Sequence, residues 1–266
     1  MGLLRDTWLA LWRGSRGGGI LTMAFWYTLI ITLYEYLVAS RLGHSIPQGL
    51  TRLIKHPGVV ALPHLAEPVL IKLILVYLTF LIIILPFTIG GLYGGVAEVI
   101  HEKPQYLGFL AFFRFGYRNF WRAWTQILLA LCYAVLLFAM LFGLVAGLGA
   151  LMPNNSVIAV IAVIIIVAGL LWLAGTLMYW FGQTFSTDVS PLKGWFQALG
   201  RAARNPIRMY GQIILLVVTL MVALIVLTFL ANTIPFVGEI LLVLVLGMVA
   251  PAFVAIYAIL SYQQAR

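Results

Sequence analysis

The stretch Arg118-Asn119-Phe120-Trp121-Arg122-Ala123-Trp124-Thr125-Gln126-Ile127-Leu128-Leu129 returns 86 residues later. The second copy reads Arg204-Asn205-Pro206-Ile207-Arg208-Met209-Tyr210-Gly211-Gln212-Ile213-Ile214-Leu215. Six of the twelve positions are identical, and the aromatic at the seventh is Trp in one copy and Tyr in the other. Each copy runs straight into a long apolar segment. The unit reads as a basic, aromatic interfacial helix feeding a transmembrane hairpin.

Composition makes the same point for the whole chain. Of 266 residues, 64% are hydrophobic and 9% are charged. A soluble domain carries about 45–50% apolar and about 25% charged residues, so most of the excess must face lipid. The net charge of +9 belongs, in such a chain, to cytoplasmic loops and anionic headgroups, and nucleic acid is not an expected partner. The lone cysteine, Cys132, lies in an apolar run and has no partner for a disulfide. The polar N-terminal lead and the long apolar run after it read as a signal anchor, not as a cleaved signal peptide.

A span needs about 20 apolar residues. Six segments qualify: 20–38, 69–93, 125–151, 157–181, 212–231 and 240–260. The expected fold is therefore all-α: a polytopic membrane protein whose six spans form three hairpins, each preceded by a basic-aromatic interfacial helix. Residues 1–266 make one integral membrane domain, with repeat units near 1–103, 104–190 and 191–266. Such repeats accompany pseudo-symmetric bundles around a cavity, and they also arise by duplication of a stable packing unit. Counting Lys and Arg puts twelve on the side of the termini and four on the other. That bias predicts a multi-pass protein of the cytoplasmic membrane with both termini in the cytoplasm.

Between Phe109 and Trp124 the aromatic residues recur at helical spacing, and Arg114, Arg118 and Arg122 form one ridge continued by Gln126. Arg201, Arg204 or Asn205, Arg208 and Gln212 repeat it. Guanidinium groups beside rings suit a helix in the headgroup plane, where each fork can hold a phosphate. The positive-inside rule and the aromatic belt would also place Arg and Trp there. Neither asks for the repeated Asn119/Asn205 and Gln126/Gln212 amides. These ten residues are the candidate ligand- or lipid-binding set. Pro86 and Pro251 are candidate helix kinks, and the glycines after Pro86 make it a candidate hinge. Glu35 and Lys72 could pair near the outer ends of the first two spans, or could simply snorkel. Gly143 and Gly147 make a small-residue stripe that reads as a helix-packing face.

The carboxylates and histidines form no catalytic or metal constellation. His44, His56, His64 and Glu67 fall in the outer loop, whereas Glu98 and His101 fall on the inner side. No His-Glu-x-x-His, Gly-x-Ser-x-Gly or phosphate-binding Gly-Lys loop occurs. No catalytic residue, metal site or cofactor is assigned.

Pro86 with Gly90-Gly91, the aromatic-basic run 112–121, and the Pro235-Phe236-Val237-Gly238 turn ahead of a last span with Pro251 stand in a familiar order. The chain resembles the superfamily of six-helix bacterial and archaeal membrane proteins that includes the membrane domain of glycerophosphodiester phosphodiesterases. The catalytic residues of those enzymes sit in a separate soluble domain, so the resemblance implies a membrane role in lipid handling and no chemistry. Two functions stay open. One is a transport or lipid-handling component that binds anionic headgroups or amphiphiles at the Arg ridges. The other is a structural or regulatory scaffold that binds a protein partner without transport. The expected partners are membrane lipids, preferably anionic, with a second copy of the chain or a membrane or ATPase partner left open.

Overall fold

The computed structural model describes residues 2–15, 19–42, 75–101, 110–151, 156–187 and 189–264. Among them the regular structure is helical throughout, and six helices are long and apolar enough to cross a membrane. We label the elements α1 (Gly2–Ser15), α2 (Gly19–Leu42), α3 (Leu85–His101), α4 (Ala111–Leu151), α5 (Ser156–Ser186), α6 (Pro191–Arg204), α7 (Pro206–Thr233), α8 (Pro235–Leu244) and α9 (Ala250–Gln264). The spanning segments are Gly19–Val38, Leu75–His101, Ala111–Ala150, Val160–Ser186, Pro206–Thr233 and Gly238–Gln264. All six match the apolar runs of the sequence, and α1 and α6 are short helices outside them. His44, His56, His64, Glu67 and Lys72 lie outside the described residues, so the metal question and the Glu35–Lys72 pair lie there too.

The two copies of the repeated stretch fold differently. α4 runs unbroken from Ala111 to Leu151, 41 residues. At 1.5 Å per residue that is about 60 Å, twice the hydrocarbon thickness of about 30 Å. The basic-aromatic segment expected as a separate interfacial helix is thus the first part of the span helix itself. In the second copy α6 ends at Arg204 and α7 starts at Pro206. Asn205 sits between them at φ −135° and ψ 63°, outside the helical region. The cause is Pro206, which has no N–H to continue a helix and disfavours helical geometry in the residue before it. Phe120 stands at the matching place in the first copy, so nothing breaks α4 there.

The two intramembrane prolines share a device. A π-helical turn, Phe80–Ile84, ends two residues before Pro86, and another, Val245–Val249, ends two residues before Pro251. Leu85 N–H bonds Phe80 O and Ala250 N–H bonds Val245 O, both at the wider i→i−5 spacing. A proline strips the carbonyl four residues earlier of its partner, and a wider turn lets the helix pass it. For Pro251 that carbonyl belongs to Gly247, and it accepts the Thr28 hydroxyl from α2. In lipid a freed carbonyl needs such a partner.

Burial is concentrated at the end of the bundle that carries the arginines. Ile20, Met23, Leu92, Val96, Phe112, Phe115, Ala123 and Ile256 form one core there. Tyr179, Trp180, Ala198, Met209 and Tyr257 form a second. α3 and α4 meet on a glycine ridge. A Cβ on Gly91 would lie 2.6 Å from the Phe112 ring, and one on Gly90 would lie 3.3 Å from the Asn119 backbone. At the opposite end the helices show lipid-facing apolar side chains, such as Leu136, Phe142, Ile164 and Phe229. A Cβ on Gly143 or Gly147 would meet nothing within 4 Å, so no described helix packs on the stripe they form.

Candidate functional site

Three helix ends build a cavity of about 170 Å³ at the basic end. α3 contributes Gly94, Ala97, Glu98 and His101, which span two turns along one side of the helix. α4 contributes Arg118, Asn119 and Arg122, and Phe185, Ser186 and Thr187 at the end of α5 close the third side. The close approach of α3 and α4 depends on Gly94, because a Cβ there would collide with Asn119 Nδ2.

Arg118 Nη2 donates to Glu98 Oε2 at 2.8 Å. The arginine side chain is 57% exposed and the glutamate 25%, so the pair is wet and contributes roughly 0–1 kcal/mol. Arg114 and Arg118 both lie over the Phe115 ring, at 5.2 and 5.1 Å from its centroid. Asn119 is buried, and its amide donates to Phe115 O at 3.0 Å. The hydroxyls of Ser186 and Thr187 give their protons to the carbonyls of Gly182 and Gln183. The N–H groups along the cavity lining are those of Arg118, Asn119, Arg122 and His101.

The arginines of the second copy are arranged otherwise. Arg201 and Arg204 line a shallow groove of about 780 Å³ on α6, together with Lys193, Ser190, Gln197 and Phe196. Arg201 stacks 4.3 Å above the Tyr262 ring, and its buried Nη1 has no hydrogen-bond partner among the described residues. Asn205 and Arg208 are exposed at and beyond the helix break, and Arg114, also exposed, does not line the first cavity. The ridge expected from Arg201 to Gln212 is thus split between two helices.

The two glutamines lie within the bundle. Gln212 is buried; its Oε1 accepts the Tyr179 hydroxyl at 2.6 Å, and its backbone carbonyl accepts the Tyr257 hydroxyl at 2.8 Å. Gln126 is fully buried, and neither Oε1 nor Nε2 has a partner among the described residues.

Sequence reasoning missed Glu98, His101, Ser186 and Thr187 as neighbours of Arg118 and Arg122. Glu98 and His101 were visible as a helical i, i+3 pair, but only the register of α3 against α4 joins them to the arginines. No group of three metal-ligating side chains occurs among the described residues. Comparison of the chain with family models, with curated proteins and with solved structures gives no match.

Proposed function

We propose that the protein is a lipid-handling or transport component of the cytoplasmic membrane, with both termini inside, that binds the phosphate of an anionic amphiphile between Arg118 and Arg122. One observation carries the reading: two arginines and a histidine line a cavity of about 170 Å³ at the basic end of an apolar bundle. The resident acid, Glu98, forms only a wet ion pair with Arg118. A phosphate held by a guanidinium fork gains about 1.5–3 kcal/mol per charge-assisted contact, more than the roughly 0–1 kcal/mol of that pair. Arriving phosphate therefore displaces Glu98. A position at the bilayer face, next to a surface that concentrates anionic lipid, favours an amphiphile over a soluble anion.

The scaffold reading draws on a different observation, the glycine-packed α3–α4 contact with its side-chain-filled interior. It accounts for the packing and leaves the gathered arginines without a role.

The test is retention of anionic phospholipid by the purified protein, read by native mass spectrometry. Arg118→Lys and Arg122→Lys keep the charge and lose the fork. Under the proposal each lowers retention of phosphatidic acid several-fold, whereas Arg5→Lys, on α1 and outside the cavity, changes nothing. Equal retention by all variants and the parent would leave the arginines as topology signals only.

A further inference from the structure

Gln126 departs from the rule that buried polar groups are paired. In hydrocarbon an amide without a partner is costly, and here both of its polar atoms lack one. Thr184 and Ser261 are also buried and unpaired, but a hydroxyl rotates to suit what it meets. Gln183 keeps one bond, from its Nε2 to Gln197 Oε1. Gln126 alone among these is an amide with neither its oxygen nor its nitrogen bonded.

The second copy acts as an internal control. Tyr179 satisfies Gln212 from 33 residues upstream. A tyrosine, Tyr93, also stands 33 residues before Gln126. Tyr93 instead packs on the rings of Phe181 and Phe185, each 5.5 Å away, and no described residue offers Gln126 a hydroxyl in its place. The partner is therefore something other than this chain's described residues.

Position indicates what that partner is. Asn119, Arg122 and Gln126 fall at i, i+3 and i+7 of one unbroken helix, so they share a face. Asn119 and Arg122 line the cavity. Gln126 lies one turn further into the membrane, about 6 Å along the axis. That is close to the offset between a phosphate and the first oxygens on its carbon side.

We propose that Gln126 is the inner contact of the same site. The ligand is an organic phosphate whose phosphoryl group lies between Arg118 and Arg122. An uncharged carbonyl or hydroxyl oxygen one turn deeper hydrogen-bonds the Gln126 amide. The proposal rests on the phosphate reading above and adds the ligand class: a phosphate ester carrying a polar, uncharged group, not phosphate alone.

The test compares parent and Gln126→Leu, which removes the amide at similar volume. The full chain in phosphatidylcholine nanodiscs is titrated with dioleoyl phosphatidic acid and with its dialkyl ether analogue, which lacks carbonyls. Glycerol phosphate and inorganic phosphate serve as the soluble pair. For a lipid source, the parent prefers the diester over the diether about fivefold, the value of one neutral hydrogen bond, and Gln126→Leu loses that preference. For a soluble source, the same preference appears for glycerol phosphate over inorganic phosphate. In either case the variant binds the carbonyl-free or inorganic member as the parent does. Its thermal midpoint is unchanged or higher, since an unpaired buried amide has gone. If the variant keeps both preferences, or the parent shows neither, Gln126 is satisfied by bound water and the proposal fails. If the parent binds none of the four, the phosphate reading fails with it.

Discussion

Gln126 and Gln212 hold the ninth place in two copies of one twelve-residue pattern, but the first amide is buried without a described partner and the second is held by Tyr179. The same contrast runs through the copies. Asn119 is buried inside a helix, and Asn205 is exposed at a break. Arg118 meets a glutamate across a cavity, whereas Arg204 lies in an open groove. Identical residues thus took different roles because their neighbours differ. Pro206 replaced Phe120, and α3 carries a glycine ridge where α5 carries Trp180 and Phe181 in the matching stretch. The unbroken copy lines a cavity, and the broken copy is divided between α6 and α7.

The largest test of that contrast exchanges the breaker. Phe120→Pro places a proline in the interior of α4 and should cost about 3 kcal/mol or more. Pro206→Ala removes a proline from the first position of α7, where its missing N–H matters least, and should change stability by less than about 1 kcal/mol. Thermal unfolding in detergent reads both. Similar losses would mean that the break is set by packing and not by Pro206.

Glycines give the next contrast. Gly94→Ala drives a Cβ into Asn119 Nδ2 and should destabilise by about 1–3 kcal/mol, opening the α3–α4 contact and the cavity with it. Gly211→Ala, in α7 with open space around it, should stabilise by about 0.5–1 kcal/mol through helix propensity. The sign difference is the measurement. Stabilisation by Gly94→Ala would refute the tight approach.

Tyrosines come third. Tyr179→Phe leaves Gln212 Oε1 buried without its donor and should cost about 1–3 kcal/mol. Tyr93→Phe removes a hydroxyl that makes no bond to Gln126 and should cost less than about 1 kcal/mol of stability. Equal losses at the two sites would show that the Tyr93 hydroxyl matters to the fold as much as that of Tyr179, and the internal control used for Gln126 would go.

Much of this was legible from residue order, and the remainder for a physical reason was not. Apolar runs report on one helix at a time, so the six spans and the basic end followed directly from 20–38 through 240–260. Helical spacing is local, so it could suggest the Arg114–Arg118–Arg122 ridge, but not that Arg118 and Arg122 line a cavity without Arg114. The cavity needed the register of α3 against α4, which Gly90, Gly91, Gly94 and Gly95 set by close approach. That register alone brings Glu98 to Arg118. The Gly143–Gly147 stripe has no partner among the described residues for the converse reason: small residues permit contact and do not supply a partner. The break at Asn205 was present in the sequence as Pro206, but the likeness of the two copies concealed it.

The smallest expected effect concerns Glu98. Its counterpart 86 residues on is Thr184, a buried hydroxyl, so only the first copy sets an acid against its arginine. The Arg118–Glu98 pair is wet and contributes roughly 0–1 kcal/mol. Glu98→Gln should therefore leave the thermal midpoint almost unmoved. It also removes one negative charge from a cavity that Arg118, Arg122 and His101 line. A phosphate entering the parent must first displace the carboxylate, and in the variant it does not. Binding of phosphatidic acid should tighten by up to about fivefold, the equivalent of about 1 kcal/mol. The gain should shrink as salt rises, because both partners are partly exposed. Arg118→Lys in the same background should remove most of the gain, since the fork that profits from the freed position is gone. If Glu98→Gln instead weakens retention, the carboxylate orients Arg118 for the ligand and does not compete with it. The first copy would then differ from the second by positioning its arginine, not by occupying it.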